Sequence, residues 1–388
     1  MFAGALGIGT FTSVRTFVFY LALGMAVSGQ SSPETPQSQP PQQHSISPKL
    51  SPTEVSALKA KAEKGDASAE FSLGRAYEEG NGVPKSDESA MKWYRKAADQ
   101  GDAEAQNRVG VLYSLGLGIG RDRVEAVAWY HKAARQKNAK AMFNLGAAYY
   151  NGDGLAIDDV ASCAWFLLAQ EAGSTAADEA LRRAASENRG ELSAALVKVA
   201  EIYAAGNELP KDSAEALKWY RKAADAGDAR SAVTVAGLLL GPGRALTQDE
   251  YAEARRRCED AANQKYAPGA YCVAVIHKRG LGMAKDPVES AKWFARTAEL
   301  GDSRAAFELG EAYWKGDGVK PDPVTAYMWI WLAYNSRVPG AEQDEQELRR
   351  EMTAKQVEHA KQKASDWSKN HRFLVLRQRQ TDNAPPAQ

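Results

Sequence analysis

The chain has 388 residues, of which 44% are apolar and 25% are charged, a composition that is ordinary for a soluble globular protein of one or two domains. Lys plus Arg and Asp plus Glu both number 49, so the formal net charge is zero. Because both signs are interspersed and no basic run occurs, the sequence gives no support for nucleic-acid binding through phosphate neutralisation.

Residues 1–29 have the pattern of a secretory signal peptide. Arg15 is the only charge before an apolar stretch from Phe17 to Val27, and the small residues Ser28 and Gly29 follow. The stretch is shorter than the roughly 20 residues of a bilayer span, which favours cleavage over anchoring. We expect a periplasmic or secreted protein, and the alternative is an uncleaved anchor, the only case in which membrane contact is expected.

Two segments have almost no apolar side chains to bury. Residues 30–50 are rich in Pro, Gln and Ser and are predicted to form a disordered linker. Residues 373–388 have a similar composition, and we expect a disordered tail there.

A segment of about 36 residues recurs between the linker and the tail. A front helix is predicted first, because Ser51 and Glu54 form the S-x-x-E pattern of a capping box. Seven copies of the segment then begin at Gly65, Gly101, Lys137, Glu191, Gly227, Lys265 and Gly301. A fixed period of this size indicates a solenoid of supersecondary units.

Each copy is predicted to be a helical hairpin. In the first copy Ala69, Leu73 and Ala76 share one helical face, a second apolar helix follows, and Gly80 and Gly82 between them allow positive φ in a tight loop. Aspartates are expected to cap the first helices at Asp66, Asp102, Asp228 and Asp302, and the second helices at Asp87, Asp212, Asp286 and Asp322.

Two internal columns recur through the array. Glycine weakens a helix by up to about 1 kcal/mol, so we expect two backbones to approach at the Gly or Ala column of the first helices. Its members are Gly74, Gly110, Gly146, Ala200, Ala236, Ala274 and Gly310. The second helices carry tryptophans that are expected to interlock successive hairpins, namely Trp93, Trp129, Trp165, Trp219, Trp293 and Trp329. Copy five has Arg257 at this position and is expected to be the weakest unit.

The motifs GDAEAQ, NLGAAYY, G-x-G and A-x-K-W-Y-x-K-A-A resemble Sel-one-like repeats, a subfamily of the tetratricopeptide-like α/α repeats. The resemblance covers residues 65–335. It implies an all-α fold, a right-handed α/α solenoid of seven hairpins with helical caps. It also implies a protein-interaction scaffold, often in exported bacterial proteins, with no catalytic motif and no cofactor.

Copy three is about half a repeat too long, and its excess predicts an additional helix. A similar pattern follows copy seven, and terminal repeats need a helix with one polar face. We therefore predict a first sub-array over residues 51–190, a second over residues 191–340 and a capping helix over residues 341–372.

Six aromatic residues are candidates for partner contacts, because helix geometry is expected to turn positions 71, 75 and 78 and their equivalents away from the core, toward a groove. The alternative is that the residues in the column of position 71 pack on a neighbouring repeat. The six are Phe71, Phe143, Tyr150, Tyr271, Phe307 and Trp314.

Export would place the three cysteines in an oxidising compartment. Cys258 is predicted in the second helix of copy five and Cys272 in the first helix of copy six, which should be antiparallel neighbours. They are expected either to form a disulfide or to be two buried thiols. Cys163 has no evident partner.

No catalytic, metal or cofactor site is predicted. Ser56 and Lys59 match the S-x-x-K element of serine β-lactamases, but the companion S-D-N and K-T-G elements are absent. No metal-ligand spacing is found around His44, His131, His277, His359 and His371. The leading hypothesis is a non-enzymatic exported adaptor that binds a protein or peptide and regulates an envelope process. A β-lactam-binding or cell-wall hydrolase and a membrane-anchored scaffold are the alternatives.

Overall fold

The computed structural model describes residues 49–187, 189–243 and 245–370, and this part of the chain contains eighteen helices and no strand. The predicted signal peptide, most of the linker and the tail lie outside it. In chain order α1 to α18 are Pro52–Glu63, Ala67–Glu79, Asp87–Asp99, Ala103–Leu115, Arg123–Ala134, Ala139–Asn151, Asp159–Glu171, Thr175–Glu187, Arg189–Ala205, Ser213–Asp225, Ala229–Leu240, Gln248–Asn263, Ala267–Arg279, Pro287–Glu299, Ser303–Lys315, Pro323–Asn335, Ala341–Glu351 and Ala354–Asn370. Within the described residues, no helix combines the length and the apolar character needed to span a membrane.

The chain divides into two compact units, one ending at Trp219 and the other beginning at Tyr220. The division falls inside α10, whereas the sequence predicts the end of the first sub-array at residue 190. The two compact units therefore do not coincide with the two predicted sub-arrays, which stay a prediction.

The predicted hairpins are present. In the first unit α2 packs on α3, α4 on α5 and α6 on α7, and each second helix also packs on the first helix of the next copy. The first helices begin where Asp66, Asp102 and Asn138 accept the amide hydrogens of residues three positions on, at 2.7–2.9 Å. Side-chain caps of this kind satisfy amides that the helix itself leaves unpaired.

The predicted cap of α3 at Asp87 is wrong. The hydroxyl of Ser86 accepts the Ser89 amide hydrogen at 3.1 Å, and Asp87 is the first residue of the helix. Ser86 has the extended backbone that a capping residue requires, with φ −155° and ψ 106°. The Asp87 carboxylate instead stabilises the helix by its interaction with the positive end of the helix dipole.

In copies two, three and seven the second glycine of the G-x-G loop lies against the preceding copy. A Cβ at Gly118 would lie 2.3 Å from the backbone oxygen of Asp87, and one at Gly154 would lie 2.3 Å from that of Arg123. In the second unit the corresponding distance from Gly318 to the Pro287 oxygen is 2.0 Å. The loop of one copy therefore rests directly on the start of the previous copy's second helix.

The Gly column of the first helices makes room for side chains. A Cβ at Gly74 would lie 2.7 Å from the Tyr94 ring, and one at Gly146 would lie 2.6 Å from the Phe166 ring. At Gly110 and Gly310 the expected approach of two backbones is also found, since a Cβ there would lie 3.1 Å from the Ala126 oxygen and 3.0 Å from the Ile330 nitrogen. The residue that needs the space is the one after the tryptophan, because its ring lies across the first helix of the same copy.

The tryptophans interlock neighbouring hairpins, as predicted, most clearly at Trp129. Its ring is buried against the second helix of copy one, and its indole N–H donates to Glu125 at 2.9 Å. Arg95 and Lys132 place their cationic groups 4.7 and 3.6 Å from the ring centroid. Such stacking adds to the apolar contact.

The additional helix predicted in copy three is α8. The helix before it, α7, packs on both α8 and α9. Arg135, which ends α5, donates to the backbone oxygen of Asn207 at 3.0 Å, in the loop of copy four. Because α8 adds one more reversal of chain direction before copy four, the loop of copy four contacts the end of a second helix, α5. The loops of copies two and three instead contact the start of a second helix. Glu208 occupies the position of the second loop glycine there.

The second unit has one irregular hairpin, α11 with α12. Arg257, at the tryptophan position, bonds to Asp225 at 2.6 Å, and Arg221 makes two bonds to Glu253 at 2.7 and 2.8 Å. After copy seven, two helices, α17 and α18, pack on α16 within the predicted capping segment of residues 341–372.

Candidate interaction site

Three of the six candidate aromatics lie inside their own hairpins. Phe71, Phe143 and Tyr271 have ring partners on the second helix of the same copy, with centroid distances of 5.2–5.7 Å. The side chain of Phe143 is only 4% exposed. The rings of this column therefore pack on their own hairpins, and Tyr271 also contacts the neighbouring copy, because the Arg304 guanidinium lies 4.7 Å from its ring centroid.

The other three candidates are half-buried. Phe307 lies near the turn before α17, since a Cβ at Gly340 would be 3.5 Å from its ring. The Trp314 indole N–H donates to the Glu351 carboxylate at 3.0 Å, which joins α15 to the end of α17. Tyr150 is half-buried near the end of α6. A partner-binding role of all six residues stays a prediction.

A recess opens between neighbouring hairpins at the same repeat position in both units. In each unit its walls are the two helices of one copy and the first helix of the next. Recess A, between copies two and three, has a volume of about 20 Å³ and is lined by Val111, Ser114, Leu115, Arg123, Ala126, Val127, Tyr130, Asn144, Ala147, Ala148 and Asp153. Recess B, between copies six and seven, has a volume of about 210 Å³ and is lined by Lys278, Pro287, Ser290, Ala291, Phe294, Glu308, Glu311, Ala312, Lys315 and Asp317.

The two recesses share a framework and differ in their lining. The framework pairs are Ala126 with Ser290, Val127 with Ala291, Tyr130 with Phe294, Ala148 with Ala312 and Asp153 with Asp317. The lining pairs differ in charge or size, and they are Ser114 with Lys278, Arg123 with Pro287, Asn144 with Glu308 and Ala147 with Glu311. Recess B therefore has the same framework as recess A and a more highly charged lining.

Recess A is nearly closed. Arg123 bonds to Asp153 at 3.0 Å across its edge, and the Asn144 amide donates to Asn107 at 2.9 Å. Burial raises the pKa of Tyr130 far above its usual range, so its hydroxyl stays protonated at neutral pH. A volume of about 20 Å³ has room for a single water molecule.

Recess B has room for a partner side chain. Its wall is smaller at two positions, because Phe294 lacks the Tyr130 hydroxyl and Ala291 lacks the branched side chain of Val127. Lys278 bonds to Glu308 at 2.5 Å and lies 3.9 Å from Glu311.

A second lysine completes the charge pattern of recess B. The Glu311 carboxylate accepts a hydrogen bond from Lys315 and thereby raises the pKa of that lysine. Burial and the Glu311 charge raise the pKa of Asp344, which lies beyond the recess on α17. Positive and negative groups therefore alternate around the opening.

The charged residues of recess B are functional candidates that the sequence analysis missed. Lys278 stands at the repeat position of residue 78, and Glu311 stands at that of residue 75. Both columns are among those expected to face a groove, but a search for aromatic residues passes over them. A comparison of charge between copies two and six would have found Lys278, and one between copies three and seven would have found Glu311.

The S-x-x-K residues and the histidines were the candidates for catalytic or metal chemistry. Ser56 is exposed on α1, while the Lys59 ammonium group lies 5.9 Å from the centre of the Tyr77 ring. Residues 49–370, apart from Asn188 and Arg244, contain no group of three or more His, Cys, Asp or Glu side chains arranged to hold a metal ion. His44 and His371 lie outside the described residues.

The stacked hairpins and the recesses between them define an α/α-repeat protein of the interaction-scaffold class. The Sel1 repeat model matches more than half of the chain, over residues 67–102, 103–138, 139–174, 193–228, 267–302 and 303–335. The chain belongs to the Sel1 repeat family. Six repeats match, and copy five falls in the unmatched interval, so the count of seven is approximate. Repeats of this family typically mediate protein–protein interactions and are generally non-enzymatic.

Three solved structures are similar to the chain. A protective antigen of uropathogenic Escherichia coli strains, which displays an SLR fold, is 26% identical, with 86% of this chain and 76% of that chain covered and a TM-score of 0.44. A Sel1 repeat protein from Oxalobacter formigenes is 24% identical, with coverages of 76% and 80% and a TM-score of 0.37. A putative Sel1 repeat protein from Klebsiella pneumoniae is 17% identical, with coverages of 76% and 99% and a TM-score of 0.15. No curated protein matches the chain.

Proposed function

We propose that this protein is an interaction scaffold that binds a protein or peptide partner at the recesses between its hairpins, chiefly at recess B. One observation carries the proposal: the two recesses share a framework of corresponding residues and differ in the charge and size of their lining. A surface that keeps its framework while its contact residues vary is what recognition by a repeat array requires.

The charges of recess B support a polar contact with the partner. Lys278, Glu308 and Glu311 are partly exposed, at 39, 22 and 20% of their side-chain surface. Ion pairs at such positions contribute little to stability, so a partner's charged group can exchange with them at small cost. Complementary charge of this kind sets partner choice and association rate more than affinity.

The setting that we propose is outside the cytoplasm, in regulation of an envelope process. The signal-peptide pattern of residues 1–29 and the expected disulfide support this setting. The membrane-anchored alternative is separated by N-terminal sequencing of the protein from cells, since an uncleaved chain would retain residues 1–29. The hydrolase alternative has weaker support, because Lys59 lies beside an aromatic ring and Ser56 is on an open helix face.

Affinity purification from the native envelope tests the proposal. The wild-type chain is compared with Glu311→Lys and with the matched control Glu299→Lys, which reverses an exposed charge on α14 outside the recess. We expect a specific partner to be recovered with the wild type and the control, and its affinity for Glu311→Lys to fall about tenfold or more. Equal affinity for the three proteins, measured by titration with the identified partner, would refute binding at recess B.

A further inference from the structure

Copy five lacks the aromatic packing found in copies one to three. Arg257 replaces its tryptophan, and Cys258 replaces the ring that lies on the Gly column in copies one to three. Its first helix, α11, ends at Gly241 with φ −61°, without the left-handed glycine that ends α2, α4 and α6. The family model does not match this copy.

A covalent link stands at the position of the missing ring. Cys258 on α12 and Cys272 on α13 form a disulfide, with their Cα atoms 5.7 Å apart. Cys258 is fully buried, whereas Cys272 is partly exposed. The two helices also approach closely, since a Cβ at Gly269 would lie 2.6 Å from that of Ala261.

The ion pairs of copy five are partly open to water. The Asp225 carboxylate is 65% exposed although its partner Arg257 is 10% exposed, and Arg221 and Glu253 are 37 and 17% exposed. Ion pairs at such positions add little stability. The disulfide closes a loop with a sequence separation of 14, and its removal returns the entropy of that loop to the open state.

We propose that the Cys258–Cys272 disulfide is a redox-sensitive lock that holds copy five in the array and releases it when a dithiol reduces the bond. The thiolate of the dithiol attacks the Cys272 sulfur, at the partly exposed end of the bond, and Cys258 leaves as a thiolate. The second thiol of the reductant attacks the mixed disulfide and releases Cys272. Two electrons and two protons pass to the two cysteines, and the dithiol becomes a disulfide.

Hydrogen exchange on the full chain, with and without dithiothreitol, tests the lock. On reduction we expect the amides of α11, α12 and the start of α13 to exchange about 100-fold faster, which is the loss expected for a loop of this length. The amides of α4, α5 and α6 should not change, because no disulfide joins those helices in the described chain.

Cysteine variants separate the lock from general effects of the reductant. Cys163→Ala should keep the wild-type response, since Cys163 is buried on α7 and takes no part in the Cys258–Cys272 bond. Cys258→Ala with Cys272→Ala should exchange fast in α11 and α12 with or without reductant. If this double variant fails to fold, the comparison of the wild-type protein with and without dithiothreitol tests the proposal by itself. Three free thiols in the unreduced protein would overturn the proposal, as would unchanged exchange in α11 and α12 once thiol titration shows complete reduction.

Discussion

Replacement of Gly154 by alanine tests whether the loop glycines set the contact between copies. Gly154 has φ +76°, and a Cβ there would lie 2.3 Å from the Arg123 oxygen, a backbone atom that cannot rotate away. The left-handed backbone costs an alanine about 1–2 kcal/mol. Forced separation of two packed segments adds about 1–3 kcal/mol. We expect Gly154→Ala to lose about 3–4 kcal/mol at the contact between copies two and three.

The matched control is Gly101→Ala. Gly101 has φ +97°, and a Cβ there would meet no atom within 4 Å, so its replacement carries only the backbone penalty. The φ of Gly101 is further from the left-handed minimum than that of Gly154. The backbone penalty of Gly101→Ala is therefore at least as large as that of Gly154→Ala. The difference between the two variants therefore isolates the steric contribution, about 2 kcal/mol.

Hydrogen exchange at α5 and α6 is the assay, because long repeat arrays do not unfold in two states and a global midpoint would mix the copies. A difference of about 2 kcal/mol corresponds to about 30-fold faster exchange in Gly154→Ala than in Gly101→Ala. Equal exchange in the two variants would refute the reasoning, since the loop would then tolerate a side chain against α5.

Two further predictions concern a helix cap and a buried carboxyl group. Ser86→Ala should destabilise copy one by about 1 kcal/mol and Asp87→Ala by a few tenths, as measured by hydrogen exchange at α2 and α3. A larger effect of Asp87→Ala than of Ser86→Ala would identify Asp87 as the cap. Burial raises the pKa of Glu208, although the Lys198 charge opposes the shift. The folded state then binds a proton more readily than the unfolded state, so stability falls as pH rises above about 4.5. Glu208→Gln should therefore stabilise the protein at pH 7 and have little effect at pH 4, and an equal effect at both pH values would contradict this.

The hairpins could be predicted because each helix carries its own signals. Asp66 as a cap, Gly80 at the helix end and the apolar face of α2 are all local, and they recur. The cap at Ser86 could also have been predicted from the sequence. Asp122 caps the equivalent helix of copy two, and the residue one repeat earlier is Ser86. An alignment of the copies with one another would have given the correct residue.

The role of the candidate aromatics could not be read from one helix at a time. A first helix packs on the second helix of its own copy and on that of the preceding copy. Its apolar face is therefore wider than the stripe that a single contact predicts. Phe143 lies on this wider face, and its contact with Phe166 depends on the space left by Gly146.

The change in stacking at copy four has a signal in the sequence. The extra helix of copy three is predicted from its length, but the reversal of chain direction that follows from it becomes evident only in the structure. Glu208 replaces the second loop glycine, and the loop meets Arg135 at the end of α5. The loss of this glycine in one copy thus marks the place where a loop no longer rests on the start of a second helix.

The loop glycines also explain how the side chains that line a recess vary while the backbone contacts between neighbouring hairpins stay the same. At Gly118, Gly154 and Gly318 two backbones meet without a side chain between them, so the contact does not depend on the residues nearby. The first helices can then carry Ser114 in one copy and Lys278 in another while the hairpins keep their register. The lining can therefore differ one column at a time while the backbone contact is kept, as recess A and recess B show within one chain.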